Sequence, residues 1–443
     1  MKIRQLQLKN IGVFDDEIIK FEPCPAKDKA EIHIFTGKNG SGKTTILQVL
    51  ANSFVNFSDL FNKSLYKRLN YKNKRNQLGD YFCRLKVWLE DNSTIDLNVI
   101  EDNVALFYFS HGDVNSEDIS NYLEHIRHPN HFENPRFNFA PFAFSGYRHI
   151  QSEQIEAIKE PKEFNPLSQS LEFVKDYNQA NQLTINQLIA NNISKSAIEK
   201  GRNEEKSKKF ADVIKSIEQA ISEITNWKIE FDLETEPINL ITKVNGKELE
   251  FDVLPDGLRS LISWVADLLG RVDLLKWQDD LPIFEKNLIL LLDEIEVHLH
   301  PEWQRKVLPV VQKLFKNAQI FVSTHSPFVV NSVDDAWVYK LELENGKAYV
   351  AEIVESENSN SITQVLREVF GIEQWFGFEV QNNLDRFKEL KRKIVSNGSD
   401  EDAEKELLEK AKLLADEPND QLKQIIKKDL EELSQIKKKP YSL

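Results

Sequence analysis

No stretch of this chain is apolar for long enough to cross a bilayer. The longest run near its centre, Leu288 to Leu292, falls far short of the roughly 20 residues a spanning helix needs. The N-terminus carries basic residues but no apolar signal core, because Met1 to Lys9 alternates like a strand. Two cysteines among 443 residues, Cys24 and Cys83, make neither a disulfide framework nor a thiolate metal site. Both read as small buried hydrophobes. These absences point to a cytoplasmic protein without a membrane partner. An excess of positive charge is missing too: the formal net charge is −14. Contact with DNA or RNA would therefore need a local basic patch or a partner. Internal repeats and low-complexity linkers are also absent. The length still allows two or three domains with their own cores.

What is present starts with a phosphate-binding motif in its proper setting. Glu31 to Phe35 reads as a strand, and Lys43 to Phe54 places Ile46, Leu47, Val49, Leu50 and Phe54 at helical spacing. Between them, Gly37-Lys38-Asn39-Gly40-Ser41-Gly42-Lys43-Thr44 fits GxxxxGK[ST]. Glycines at Gly37, Gly40 and Gly42 let backbone N–H groups wrap the phosphates of a nucleotide, and the helix N-terminus meets their charge. Asn39, Ser41 and Thr45 belong to the same cradle. Lys43 is placed for the β- and γ-phosphates, and the Thr44 hydroxyl for Mg²⁺.

A second apolar run, Leu288 to Leu292, ends in Asp293-Glu294. A buried strand uses adjacent carboxylates only at its C-terminal edge, where ligands of open α/β sheets bind. Asp293 suits the Mg²⁺ ion and Glu294 suits a base that polarises the attacking water. The next apolar run, Gln319 to Thr324, leads into His325-Ser326-Pro327. An imidazole there could hydrogen-bond a γ-phosphate. His298 and His300 lack the companion ligands of a metal site and read as loop-shaping residues.

Other runs are organisational. Cys83, Leu85, Val87 and Leu89 alternate with polar residues, as do Ile95, Leu97 and Val99 after Asp91-Asn92, which predicts an antiparallel hairpin. Asn245-Gly246 and Asn345-Gly346 mark two more hairpins. Leu254-Pro255-Asp256-Gly257-Leu258-Arg259-Ser260 opens a helix whose stripe is Leu258, Leu261, Ile262, Val265, Leu268 and Leu269. Taken alone, it reads as a capped core helix.

Order along the chain gives that segment a second meaning. A phosphate loop, the Gly257 segment, Asp293-Glu294 and His325, in this sequence, resemble the ABC-ATPase superfamily. Within it the chain resembles the single-chain AAA-family ATPases related to the OLD, Rad50 and RecF proteins. The phrases LPDGLRSLISWVADLL, ILLLDEIEVHLHPEWQ and IFVSTHSPFVV look especially like the PtuA ATPases of Septu-type and retron-associated antiphage systems. The resemblance implies an ABC-type P-loop α/β fold with a mixed sheet flanked by helices, and a nucleotide-sandwiched dimer or higher assembly. It places Gly257 at the signature glycine that meets the partner copy's nucleotide. Pro255 departs from the family, many of whose members carry a serine there; proline has neither hydroxyl nor N–H. Ser260, Arg259 or helix N–H groups are the substitutes to consider. Gly146-Tyr147-Arg148 or Gln151 lie where a glutamine loop would fall.

The expected organisation is an N-terminal half of the ATPase over 1–150, a helical insertion over 151–236, a C-terminal half over 237–355 and a helical extension over 356–443. The insertion is too short for the coiled-coil arm of a Rad50- or SMC-type protein. After Pro327 no Toprim-like acid pattern follows, so the chain is not expected to cut nucleic acid itself. Lys63 to Arg75, interleaved with Tyr66 and Tyr71, and Lys195 to Lys209 are basic stretches that read first as solvated helix faces, with nucleic-acid contact, directly or through the partner, as the alternative. A Leu384, Phe387, Leu390 and Ile394 stripe reads either as a docking surface for another subunit or as a face packed against the parent domain. The expected function is an ATP-gated defence ATPase acting with a separate HNH-type nuclease subunit. The rival is a RecF-like repair ATPase that binds DNA directly.

Overall fold

The structure, a computed structural model, describes residues 1–24, 28–54, 82–90, 94–100, 104–110, 136–146, 155, 171, 185–357, 359–372, 376–397 and 400–442. The Lys63–Arg75 stretch, Tyr147, Arg148 and Gln151 lie outside the described residues. Two compact units emerge, residues 1–370 and 371–443.

The first unit begins with β1 (Ile3–Ile11), β2 (Phe14–Lys20), β3 (Glu31–Gly37), α1 (Lys43–Asn52), β4 (Phe82–Leu89), β5 (Thr94–Ile100), β6 (Val104–Ser110) and β7 (Ala140–Phe144). It continues with α2 (Ile185–Glu199), α3 (Glu204–Thr225), β8 (Ile229–Thr235), β9 (Ile238–Val244), β10 (Lys247–Glu250) and α4 (Asp256–Leu274). It closes with β11 (Leu288–Leu292), α5 (Pro301–Leu314), β12 (Gln319–Ser323), α6 (Pro327–Val330), β13 (Ala336–Glu344), β14 (Lys347–Glu355) and α7 (Ile362–Glu368).

The central sheet has the order β14-β13-β3-β12-β11-β7. All neighbours in it run parallel except the edge pair β13–β14, so this is the mixed α/β sheet expected. Strands β3, β12, β11 and β7 are buried along nearly their whole length, which is why β11 reads as an unbroken apolar run. Neighbours in this sheet are distant in sequence. The order therefore delivers the C-terminal ends of β3, β12, β11 and β7 to one edge, and the loops that leave them meet there.

A second, antiparallel sheet has the order β2-β1-β4-β5-β6. Its β4–β5 pair sets Trp88 opposite Thr94, as the hairpin alternation predicts. The third sheet, β10-β9-β8, turns at Asn245 and Gly246 with φ of 51° and 82°. Asn345 and Gly346 join β13 to β14 in the same way, with φ of 52° and 77°. Both are the left-handed pairs that a two-residue hairpin needs. One expectation is corrected here: residues 229–235, inside the span expected to be helical, form strand β8. Ile229, Phe231 and Leu233 alternate with Glu230, Asp232 and Glu234, a period of two that a helix cannot bury.

Helix α4 packs on α2 and α3, and Leu258, Leu261, Ile262, Leu268 and Leu269 of its stripe are fully enclosed. Each such side chain contributes about 1.5–3 kcal/mol by leaving water. Trp227, after α3, meets Trp303 of α5 edge to face at 5.0 Å. Among the described residues no helix is long and apolar enough to cross a membrane.

A polar knot ties β1 to the opposite end of the central sheet. Gln319 exchanges hydrogen bonds with the Ile3 backbone, accepting at 2.7 Å and donating at 2.9 Å. Its amide also reaches Glu31, which accepts from Arg4 at 2.7 Å and pairs with His33 at 2.9 Å. Burial opposes the Glu31 charge, yet the His33 hydrogen bond and the Arg4 guanidinium overcome it and hold the carboxyl below its ordinary range. His33, fully enclosed, is pushed down by burial and stays neutral. The depressed Glu31 pKa means its stabilisation is present above about pH 4.5 and is lost as pH falls through the folded value. Glu31→Gln should cost about 1.5–3 kcal/mol at neutral pH, nearer the lower figure because the Arg4 side chain is 22% exposed. Urea unfolding at pH 7 and at about pH 2, the folded value, should show the gap from wild type closing on the acid side.

The second unit is a three-helix bundle of α8 (Phe378–Asn397), α9 (Glu401–Ala415) and α10 (Asp420–Lys437). Asp400 and Asn419 cap α9 and α10 through their side-chain oxygens. Leu384, Phe387, Leu390 and Ile394 do not form a docking surface. They are buried against Leu407, Ala411, Leu414, Leu422, Ile426 and Leu430 of the same bundle. After α10, the Tyr441 hydroxyl donates to Glu404 Oε1 at 2.6 Å and Lys439 Nζ to Oε2 at 2.5 Å, clasping the chain end to α9.

Candidate active site

The loop from Gly37 to Gly42 follows β3 directly. Gly42 caps α1 with φ of 93° and no side-chain cap. A Cβ there would lie 2.6 Å from the Phe14 ring, so the turn demands glycine twice over, for conformation and for space. An uncapped start leaves the first N–H groups of α1 without intrahelical partners, ready for an anion. Lys43 Nζ donates to the carbonyl oxygens of Gly37 and Lys38 at 3.0 and 3.1 Å, which keeps the ammonium over the loop. The buried Ser41 Oγ has no hydrogen-bond partner among the described residues.

The end of β11 meets this loop. Thr44 Oγ1 donates to Asp293 Oδ1 and Oδ2 at 3.0 and 3.1 Å. A hydroxyl and a carboxylate side by side are hard oxygen donors of the kind Mg²⁺ accepts while keeping several waters. Among the described residues no group of three His, Cys, Asp or Glu side chains forms an alternative metal cage. Burial pushes Asp293 up, against the Ser323 and Thr44 hydrogen bonds that favour its charge. Lys43 is pushed down by burial, and Asp293, Glu294 and Glu296 pull it back. The phosphate-loop lysine and the acids thus share one electrostatic neighbourhood.

Ser323, the last residue of β12, organises the two acids. Its hydroxyl donates to Asp293 and accepts the Glu294 backbone N–H at 2.9 Å. Glu294 has φ of 45°, a left-handed conformation costing about 1–3 kcal/mol for a residue with a side chain. The Ser323 bond and a close neighbour hold it there. A Cβ on Gly146, just after β7, would lie 2.9 Å from Glu294 Oε2. Sequence reasoning named Gly146 only as part of a possible glutamine loop and gave Ser323 no role. The serine sits in the histidine motif, but its bonds join residues 29 and 30 apart.

His325 follows at the same edge, exposed, with its backbone N–H donated to Glu296 Oε1 at 2.6 Å. Burial and the Lys43 ammonium push its imidazole down, against Asp293, so it is neutral at neutral pH. His300 caps α5, its Nδ1 accepting the Glu302 N–H, and His298 takes a left-handed φ of 66°. Both shape the loop from Glu294 to His300, as expected of them. Lys43, Thr44, Asp293, Glu294 and His325 are thus brought together.

Gly257 lies elsewhere, against that loop. A Cβ on it would stand 2.6 Å from the His298 carbonyl oxygen and 3.1 Å from the Trp303 ring. Pro255 is the N-cap of α4 and supplies no side-chain bond, while Ser260 is fully buried and Arg259 pairs with Asp256. Alanine for a helical glycine ordinarily stabilises by about 1 kcal/mol. Here Gly257→Ala should instead destabilise by about 1–3 kcal/mol, because a backbone carbonyl stands where the methyl must go. A raised melting temperature would refute that contact.

Comparison with known proteins identifies the family. Residues 1–330 match the family described as AAA ATPase domain. The retron Ec83 probable ATPase of Escherichia coli is 35% identical over 119 residues, 27% of this chain and 21% of that protein. The retron Vc95 probable ATPase of Vibrio cholerae is 24% identical over 387 residues, 74% of this chain and 72% of that one. The Septu protein PtuA of Bacillus thuringiensis is 23% identical over 148 residues, 32% of this chain and 37% of its own length. The chain therefore spans about a fifth of the first of these relatives and over a third of the last. With the phosphate loop, the paired acids and strands β3, β7, β11 and β12 inside the matched span, this chain belongs to the AAA ATPase domain family.

Proposed function

We propose that the chain binds and hydrolyses ATP between two copies, and that the nucleotide state gates a separate nuclease subunit in an antiphage defence system. The observation that carries the hydrolytic part is the Thr44–Asp293 contact, which joins the phosphate loop to the acid pair across 249 residues of sequence. In this reading the N–H groups of Gly40 to Thr45 and the Lys43 ammonium hold the β- and γ-phosphates. Thr44 and Asp293 would hold Mg²⁺, which supplies charge neutralisation at those phosphates. Glu294 accepts the proton of the attacking water. His325, neutral and exposed, donates a hydrogen bond to a γ-phosphate oxygen. The start of α4, with Gly257 and no side-chain cap, would close over the nucleotide of the partner copy through its N–H groups and dipole. Pro255 leaves no hydroxyl for that task and Ser260 is buried, so backbone donors carry it.

The retron and Septu relatives support the defence assignment. The inventory of side chains supports a division of labour, because every cluster of acids with histidine singled out in the sequence is used at the ATP site. The purified chain should hydrolyse ATP with Mg²⁺ and leave DNA and RNA intact. Co-purification of the natively expressed complex should bring down an HNH-type nuclease. ATP-dependent binding of the chain alone to bare duplex ends would favour the repair reading instead.

A further inference from the structure

Next to the acids used above stands a carboxylate that the mechanism leaves idle. Glu296 lies on the coil between β11 and α5, flanked by Ile295 and Leu299, which are buried at 0% and 5% exposure and root the loop in the core. Its Oε1 accepts the His325 backbone N–H at 2.6 Å. This bond is one of a row that lashes the segment after β12 to the segment after β11. Ser323 joins Asp293 and Glu294, as described. Ser326 Oγ donates to Gln304 Oε1 at 2.6 Å, and Gln304 Nε2 donates to the Leu299 carbonyl at 2.8 Å. Ser326 and Thr324 on either side of His325 are buried, whereas His325 itself is exposed. Packing therefore does not fix the imidazole. Thr324 N–H donates to the Phe35 carbonyl and Ser326 N–H to Thr324 Oγ1, and the bond on His325's own N–H fixes the peptide between them, from which the ring projects.

We propose that Glu296 is a positioning residue for His325. Its carboxylate sets the height and orientation of the histidine over the phosphate loop without touching the nucleotide. The same loop carries His298, whose carbonyl oxygen lies against Gly257 at the start of α4. A shift of α4 is thus passed through residues 296–298 to the histidine, which links the interface between copies to the reacting phosphate. The proposal rests on the reading of His325 as a γ-phosphate contact.

The test is steady-state ATP hydrolysis and equilibrium ATP binding by the full chain, for wild type, Glu296→Ala, Glu296→Gln, His325→Ala and the Glu296→Ala/His325→Ala double variant. Glu296→Ala should lower kcat about 10- to 100-fold, the scale of an ångström-level misplacement, and leave ATP affinity near wild type. Glu296→Gln, whose amide oxygen still accepts the N–H, should restore most of the rate. The double variant should be no slower than His325→Ala alone, since a lost side chain needs no positioning. If Glu296→Ala does not fold, Glu296→Asp, one methylene too short to reach, replaces it. Wild-type kcat in Glu296→Ala, equal damage in Glu296→Gln, or losses that multiply in the double variant would each overturn the assignment. His325→Ala at wild-type rate is a separate result, which removes the role of the histidine itself.

Discussion

Glu294→Gln should bind ATP as wild type does and hydrolyse it about 10²–10⁴-fold more slowly, the usual contribution of a positioned general base. The amide keeps the size and the hydrogen-bonding reach of the carboxylate and loses only its basicity. The backbone that presents it should be untouched, because the Ser323 hydroxyl holds the Glu294 N–H and not its side chain. The left-handed φ of 45° is then a local cost retained for orientation. It turns the side chain out from the end of β11 to lie against Gly146. If ATP closes the proposed interface and hydrolysis opens it, the variant should also accumulate as a dimer or larger assembly when ATP is added. Light scattering with and without nucleotide reads that out. Turnover at the wild-type rate would remove Glu294 from the mechanism, whatever the oligomer does.

The parts of the site that were legible in the sequence are those written locally. The phosphate loop is a run of adjacent residues between a strand and a helix, and Asp293-Glu294 and His325 each end an apolar run. All three motifs follow parallel strands of one sheet, β3, β11 and β12, whose C-terminal ends share an edge. Illegible were the bonds between such runs. Nothing near Ser323 says that its hydroxyl will lie between two acids of another strand, because that depends on β12 settling beside β11 in register. Gly257 shows a related limit. Its motif marks the start of a helix, but the reason no side chain fits there is a carbonyl from residue 298. The C-terminal stripe shows the opposite failure. Leu384, Phe387, Leu390 and Ile394 announce a helix face to be buried, and the same pattern serves a partner protein or two neighbouring helices equally well. The two later helices of the bundle supply the cover. Strand β8 was missed because its alternation is short and directly follows the long helix α3.

Lys43→Ala should do the reverse of Glu294→Gln and weaken nucleotide binding itself. A charge-assisted hydrogen bond is worth about 1.5–3 kcal/mol, which is a factor of about 10 to 100 in Kd. Lys43 is well placed to give that much. Its residue is buried at 6% exposure and its ammonium is fixed above the loop by two carbonyl oxygens, so little side-chain entropy remains to be lost on binding. Burial already opposes its charge, and the acids Asp293, Glu294 and Glu296 offset that in part. An anionic phosphate adds the counter-charge this ammonium lacks on the side of the loop. The fold should survive, because the two carbonyls it leaves belong to a surface loop that water reaches. Titration of a fluorescent ATP analogue against Lys43→Ala and Glu294→Gln in parallel should show the affinity falling in the first and holding in the second. Unchanged affinity in Lys43→Ala, with a folded protein by melting curve, would mean that this loop does not hold the nucleotide.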